Sequence, residues 1–284
     1  MDQKIIDLYD EYTHGGMNRR DFLDRLAQIA GGSAAALVLL PSLENNYARA
    51  QVVAENDDRL AAGRVEYDAP GARISGYLVR IKGGGKRPGV IVIHENRGLN
   101  PHIRDVARRI AVEGFLTLAP DMLSPLGGTP SDEDQATKMI GSLNAGETVA
   151  RLAAAVPYLA KHAESTGKVG VVGFCWGGGM VNRLAAAGTT LNAGVAYYGA
   201  QIPAEEVPKV SAPLMLHYAG LDQRINAGIP AYQAALKANN KKYEIYIYEG
   251  ANHAFNNDTN AARYNKEAAD LAWGRTIKFL KTYL

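Results

Sequence analysis

The residues of this chain best placed to do chemistry are Gly173-Phe174-Cys175-Trp176-Gly177. They form a glycine–x–nucleophile–x–glycine pentapeptide with cysteine where serine is usual. Val169, Val171 and Val172 precede it as a β-branched apolar run suited to a buried strand, and a helical pattern is expected to begin just beyond Gly178. A nucleophile on so sharp a strand-to-helix turn sits in strained φ/ψ, and glycine neighbours let strand and helix pass close to it. The turn also aims the following backbone N–H groups at any oxyanion formed beside the sulfur. Taken alone, the pentapeptide equally fits a glycine-rich turn around a buried structural cysteine, so its structural context has to decide.

A cysteine nucleophile needs a base, and the base needs a group to orient it. Pro213 to Gly220 reads as a strand and turn that delivers Asp222. Tyr243 to Tyr248 is the next strand, and Gly250-Ala251-Asn252-His253 follows it. Nucleophile, acid, histidine, each beyond a strand end, is the chain order of α/β-hydrolases. The other histidines read differently. His217 lies inside a strand as a hydrogen-bonded core residue, while His14 and His162 sit on helices and face solvent. His94 and His102 lack the i, i+4 spacing of a zinc helix, so neither a metal nor another cofactor is expected.

The rest of the chain supplies elements to position these groups. Two β-like runs between Arg64 and Lys82 flank Gly71 as a hairpin. Val90 to Ile93 is a continuous buried strand ending in His94-Glu95-Asn96-Arg97-Gly98, and ionisable residues past such a strand end lie where α/β sheets place their chemistry. A helix follows from Pro101, a strand at Phe115 to Leu118, a loop over 121–130, a helix capped by Ser131, and a second helix from about Glu147 to Ala163. Ala193 to Tyr197 is a further strand, and a last helix starts at about Ala261. Strands alternating with helices predict an α/β fold with a mainly parallel central sheet covered on both faces. With 284 residues there is material for one large domain, expected to run over 51–284.

The net charge is +2 with no basic run, which excludes nucleic acid as the main partner. A single cysteine excludes an intramolecular disulfide and any resolving partner for thiol redox chemistry. The first fifty residues differ in kind. Asn18-Arg19-Arg20-Asp21-Phe22-Leu23 resembles a twin-arginine export signal, with Asn18 and Asp24 as departures. The apolar segment Ile29 to Leu40 is too short to span a bilayer, so stable membrane insertion is not expected. Ala48-Arg49-Ala50 offers a cleavage site. Residues 1–50 are therefore expected to be read by the twin-arginine export machinery and removed, leaving a periplasmic protein. The alternative is an N-terminal helical extension docked on the domain or a partner subunit, with a cytoplasmic protein.

The stretches HENRGLNPHIRDVARRIAVEGFLTLAPDML, VGVVGFCWGGG, HYAGLDQRI and YEGANHAFNN, in that order, resemble the dienelactone hydrolase family of α/β-hydrolases over roughly residues 60–284. The resemblance implies a hydrolase for a small ester or lactone, with Cys175, Asp222 and His253 as a catalytic triad. It implies that Glu95 contacts the nucleophilic sulfur, holding the thiol or taking its proton, and that the backbone N–H groups of Trp176 and Asn96 form the oxyanion hole. A surface ion pair between Glu95 and Arg97 is the plain alternative. A non-catalytic periplasmic binding protein on a hydrolase scaffold is the alternative function. The chain departs from the family at the arginines that clamp a substrate carboxylate. Asn256 and Asn257 follow His253, and Ser131 to Asn144 holds only Lys138, so neutral substrates are expected to serve at least as well as anionic ones. Arg97, Tyr198 and Asn257 are the candidate substrate-binding residues, in a pocket made more aromatic by Trp176, Tyr197 and Tyr198.

Overall fold

The computed structural model describes residues 1–48 and 51–284; Arg49 and Ala50 of the expected cleavage site lie outside the described residues. Three helices open the chain, α1 (Gln3–Thr13), α2 (Arg19–Ala30) and α3 (Ser33–Leu43). The strands are β1 (Leu60–Ala69), β2 (Ala72–Ile81), β3 (Arg87–Ile93), β4 (Leu116–Pro120), β5 (Ser165–Phe174), β6 (Ala193–Tyr197), β7 (Leu214–Ala219) and β8 (Tyr243–Tyr248). Between and after them come α4 (Pro101–Val112), α5 (Glu133–Gly141), α6 (Ala145–Ala160), α7 (Trp176–Ala185), α8 (Gln223–Asn226), α9 (Ile229–Ala238) and α10 (Lys266–Tyr283).

All eight strands form one sheet in the order β1-β2-β4-β3-β5-β6-β7-β8. β1 and β2 are the expected antiparallel hairpin, turning at Gly71 with φ 68°, and β2 joins β4 antiparallel. From β4 to β8 every pairing is parallel. The continuous apolar run of β3 follows from burial on both faces. Val90 and Val92 pack with Ile103, Val106 and Ile110 of α4 and with Ile277 and Leu280 of α10. Ile91 and Ile93 pack with Leu152, Val156 and Leu159 of α6 and with Val181 and Leu184 of α7. Each such side chain contributes roughly 1.5–3 kcal/mol of burial, which is what holds helices to both faces.

Local signals account for most boundaries. α4 starts where Asn100 accepts from the Ile103 N–H with proline at its first turn, an arrangement that satisfies an orphan donor. Several boundaries differ from expectation, three of them at helix starts. α5 is capped by Asp132, not Ser131, because the Asp132 carboxylate takes the Gln135 N–H. α10 begins only at Lys266, capped by Asn265, and leaves Leu271 exposed. α7 begins at Trp176, directly after the cysteine, so Gly177 to Gly179 lie inside the helix. The reason is contact. A Cβ at Gly177 would stand 2.5 Å from the carbonyl oxygens of Ile93 and His94, and one at Gly178 would stand 2.6 Å from that of Tyr197. Gly177→Ala is therefore expected to cost about 3 kcal/mol through displaced backbone, checked by urea unfolding against wild type.

The N-terminal helices have a small core of their own, with Leu8, Tyr9, Phe22, Leu26 and Leu43 buried together. They also bond to the body of the protein. Gln3 Nε2 donates to Asn252 Oδ1 at 2.6 Å, the Asn46 N–H donates to the Thr259 carbonyl at 2.8 Å, and the Ala262 N–H to that of Ser42 at 3.2 Å. Arg19 of the twin-arginine-like motif pairs with Glu44 at 3.1 Å. No single helix among the described residues is long and apolar enough to cross a membrane.

Candidate active site

Four strand ends converge at the carboxyl edge of the parallel sheet. β5 delivers Cys175 in the left-handed region, φ 54° and ψ −116°, and its N–H donates to the Tyr197 carbonyl at 3.0 Å. A non-glycine residue persists there only where its surroundings over-determine it. Here close backbone passage around Gly177 and Gly178 does so. The Trp176 N–H is the first of α7 and has no carbonyl one turn back within the helix.

β7 ends in the turn that carries Asp222, whose Oδ1 accepts from the Ile225 N–H at 3.1 Å and so caps α8. Its Oδ2 is 2.5 Å from Nδ1 of His253, which follows β8. Nδ1 facing a carboxylate must carry the proton, so Nε2 is the working nitrogen of His253. That atom is buried and has no hydrogen-bond partner among the described residues.

β3 delivers the turn at 94–98. His94 is fully buried; its Nε2 accepts from the Met122 N–H at 3.2 Å, its Nδ1 donates to the Glu95 carbonyl at 2.6 Å, and its ring stacks on Trp176 at 5.2 Å. Burial holds its imidazolium down. Neutral His94 thus fixes the turn that carries Glu95 and Asn96. Glu95 is buried and takes the Asn257 amide at 2.9 Å and the Tyr198 hydroxyl at 3.5 Å.

A hydrogen-bond partner of the sulfur is a residue the sequence placed in solvent. His14 Nε2 is 3.3 Å from Sγ, and its Nδ1 is 2.7 Å from the Asp10 carbonyl oxygen. The expected roles therefore need correcting at several positions. His14 is partly buried against Cys175, because α1 lies across the strand ends. Glu95 is bound by Asn257 and Tyr198, and Arg97 takes Glu133 at 2.7 Å as its carboxylate. Arg97 also donates to the Tyr9 hydroxyl at 2.9 Å, so it is locked beneath the N-terminal helices and does not line the cavity at the sulfur. Asn257 is fully buried with its amide committed to Glu95, which leaves Tyr198 as the one candidate substrate-binding residue of the three that lines that cavity. His217 is the expected core residue, between Tyr248 and Thr276.

The cavity over the sulfur has a volume of about 350 Å³ and includes His14, Trp176, Met180, Tyr198, Ile225 and His253 in its lining. Arg183 from α7 and Arg224 from α8 also line it. Cations thus come from helices other than the segments read for a carboxylate clamp. Arg224 lies 3.5 Å from Asp10, whereas Arg183 has no carboxylate partner among the described residues. Sγ and one ring nitrogen each of His14 and His253 lie within 4.8 Å of one another, the one such grouping of donor atoms among the described residues. The hydrogen bonds already described account for it as an acid–base cluster.

Electrostatics favour charge separation. Burial pushes the Cys175 thiol up, but His253 and His14 outweigh it and bring it down to about 6. Burial pushes the His253 imidazolium down, yet Cys175, Asp10 and the Asp222 hydrogen bond raise it to about 10. Desolvation pushes the Asp10 carboxyl up, but the nearby histidines and arginines overcome it and bring it down to about 2. A low-pKa thiol, an imidazole held by a carboxylate and a helix N-terminus make up the parts needed for acyl transfer.

Comparison with known proteins agrees. A model of the dienelactone hydrolase family matches residues 74–284. The chain belongs to the dienelactone hydrolase family. It is 32% identical to a putative carboxymethylenebutenolidase of Escherichia coli O157:H7, covering 82% of this chain and 91% of the relative. It is also 32% identical to one from Saccharolobus solfataricus, covering 76% and 96%. The crystal structure of a putative dienelactone hydrolase from Klebsiella pneumoniae superposes with a TM-score of 0.73 at 30% identity, covering 79% of this chain and 99% of that one. As a dienelactone hydrolase family member the chain is a carboxylic-ester hydrolase on an α/β-hydrolase fold. Residues 1–32 match a separate family, described as YqhI-like. The segment that carries His14 is thus recognised apart from the hydrolase body.

Proposed function

We propose that this hydrolase cleaves a carboxylic ester or lactone through a Cys175 acyl-enzyme, with His253 and Asp222 completing a triad. The observation that carries this reading is the strained elbow that presents Cys175 at a helix N-terminus, beside an imidazole whose other nitrogen is bonded to a buried carboxylate. Sulfur attacks the carbonyl carbon, and the oxyanion is received by the N–H groups of Trp176 and Asn96. The C–O bond breaks as His253 protonates the leaving alkoxide. His253 then takes a proton from water, which attacks the thioester and releases the acid. Glu95 supports the site through Asn257 and Tyr198. Purified protein should hydrolyse a chromogenic short-chain ester, and a chain inert to esters and lactones alike would favour a binding protein instead.

Arg183 supports a place for an anionic substrate group, against the neutral preference expected from the sequence. A half-buried guanidinium with no carboxylate partner among the described residues gains most from a substrate carboxylate. Arg183→Gln is expected to raise KM for a carboxylated ester about tenfold and to leave its neutral methyl ester within about twofold. Paired kcat/KM measurements on the two substrates check this, and equal effects on both would remove Arg183 from recognition.

The packing of residues 1–48 supports a docked helical extension over a removable leader. Tyr9, Phe22 and Leu43 are buried and α1 touches the sulfur, so removal would uncover both a hydrophobic cluster and the site. The export reading predicts periplasmic material that begins at Gln51; the docked reading predicts that Met1 is retained on active protein. Mass spectrometry of the native protein decides between them.

A further inference from the structure

We propose that His14 is a further catalytic residue, whose Nε2 takes the Cys175 thiol proton during acylation and returns it to sulfur when the product acid leaves. The proposal rests on the reading of Cys175 as nucleophile given above. His14 is delivered by the N-terminal helices and stands 161 residues from the cysteine it touches.

Hydrogen-bond accounting leads to this role. Nδ1 of His14 faces the Asp10 carbonyl at 2.7 Å, and a carbonyl only accepts, so Nδ1 carries a proton. Nε2 at 3.3 Å from Sγ is then a favourable contact only with one proton between them. Either the thiol donates to a neutral imidazole, or an imidazolium donates to the thiolate. In both cases His14 shares the thiol proton. Glu95, the acceptor expected from the family resemblance, takes bonds from Tyr198 and Asn257, and among the described residues the side chain hydrogen-bonded to Sγ is His14. His253 Nε2 has no hydrogen-bond partner among the described residues and bears on Cys175 chiefly as a neighbouring charge, which leaves that nitrogen for the leaving group and for water.

Position is fixed as a catalytic group requires. The Asn96 amide donates to the Thr13 carbonyl at 2.6 Å, tying the residue before His14 to the turn after β3. Asp10, which holds the His14 ring, is itself held by Arg224 and Arg263, each at 3.5 Å. The rings of His14 and His253 meet edge to face at 4.7 Å, so the two imidazoles flank one sulfur without sharing a hydrogen bond.

The proton balance closes. In acylation the thiol proton, shared with His14 through their hydrogen bond, rests on His14 Nε2 as the C–S bond forms; the C–O bond breaks, and His253 gives its own proton to the alkoxide. In deacylation water gives a proton to His253 Nε2, its oxygen bonds to the acyl carbon and the C–S bond breaks. The departing thiolate recovers its proton from His14. Each histidine ends as it began.

The test separates this role from the function reading. Groups that bear on the thiol are His14 and Asp10 from α1, His253 and Asp222 beyond β8 and β7, Tyr198 beyond β6 with Glu95 behind it, and Arg224 and Arg263 around Asp10. Only the first is changed in His14→Gln and His14→Ala. Iodoacetamide alkylation of Cys175 against pH reads the thiol whether or not the enzyme turns over. In His14→Gln the alkylation midpoint should rise by about one pH unit or more, with kcat down roughly a hundredfold and KM little changed. In His14→Ala, added imidazole should restore alkylation near neutral pH and part of kcat. An unchanged alkylation profile in both variants overturns the proposal. So does a fall in kcat with an unchanged profile and no response to imidazole, or full activity in a protein that begins at Gln51. Activity in Cys175→Ala would sink the nucleophile reading, and this proposal with it.

Discussion

Cys175→Ala is expected to lower kcat/KM for ester hydrolysis by roughly four to six orders of magnitude while leaving the fold intact. The size follows from what is lost. Without sulfur there is no covalent intermediate, and only the N–H groups at the start of α7 and the cavity walls remain to help water attack. The fold should hold because alanine keeps the Cβ and the same backbone strain at φ 54°, and the sulfur faces a cavity more than it fills a core. Chromogenic ester kinetics with a parallel thermal melt check both halves. Turnover within tenfold of wild type would mean that another group is the nucleophile. Cys175→Ser should fall between the two, since its hydroxyl does not ionise near neutral pH whereas the thiol does so at about 6.

Asp222→Asn should cost roughly three to four orders of magnitude in kcat through the tautomer of His253 alone. The substitution is nearly silent structurally. The new amide would keep an oxygen for the Ile225 N–H, and asparagine caps a helix as well as aspartate does. Opposite Nδ1 of His253, however, an amide N–H₂ replaces the carboxylate oxygen that lies 2.5 Å away. Two donors cannot face each other, so the ring moves its proton to Nε2 and presents no lone pair to water. The melting temperature should stay within a few degrees, and single-turnover kinetics should show deacylation slowed more than acylation. Equal slowing of both, or a kcat near wild type, would show that Asp222 does not set the tautomer.

What could be read from the chain alone follows the range of each physical signal. β6 and β8 lie over Ala193–Tyr197 and Tyr243–Tyr248 as expected, and α4 starts at Pro101 as expected, because the cues for short strands and helix starts act within a few residues. The mainly parallel order follows from strands alternating with helices, and the elbow was legible because its glycines answer a local steric need. α7 was placed three residues late because Gly177 and Gly178 read as a turn. Their missing side chains instead accommodate the β3 and β6 backbones, distant in sequence.

The sequence by itself determined the family, the sheet, and the three strand ends that carry Cys175, Asp222 and His253, since each depends on short patterns and chain order. Only the tertiary structure decided who touches whom at the sulfur. Glu95 was expected there and is bound by Asn257 and Tyr198; His14 was read as a solvent-facing helix residue and lies 3.3 Å away. Arg97 was read as a substrate contact and is spent on Glu133 and Tyr9, while Arg183 and Arg224, which the sequence reading did not assign, line the cavity. Hydrophobic periodicity along α1 shows that the helix buries a face, but not which surface it covers. That choice is made by dispersed polar contacts, Gln3 to Asn252, Thr13 to Asn96 and Asp10 to Arg263, which have no signature until the chain has folded.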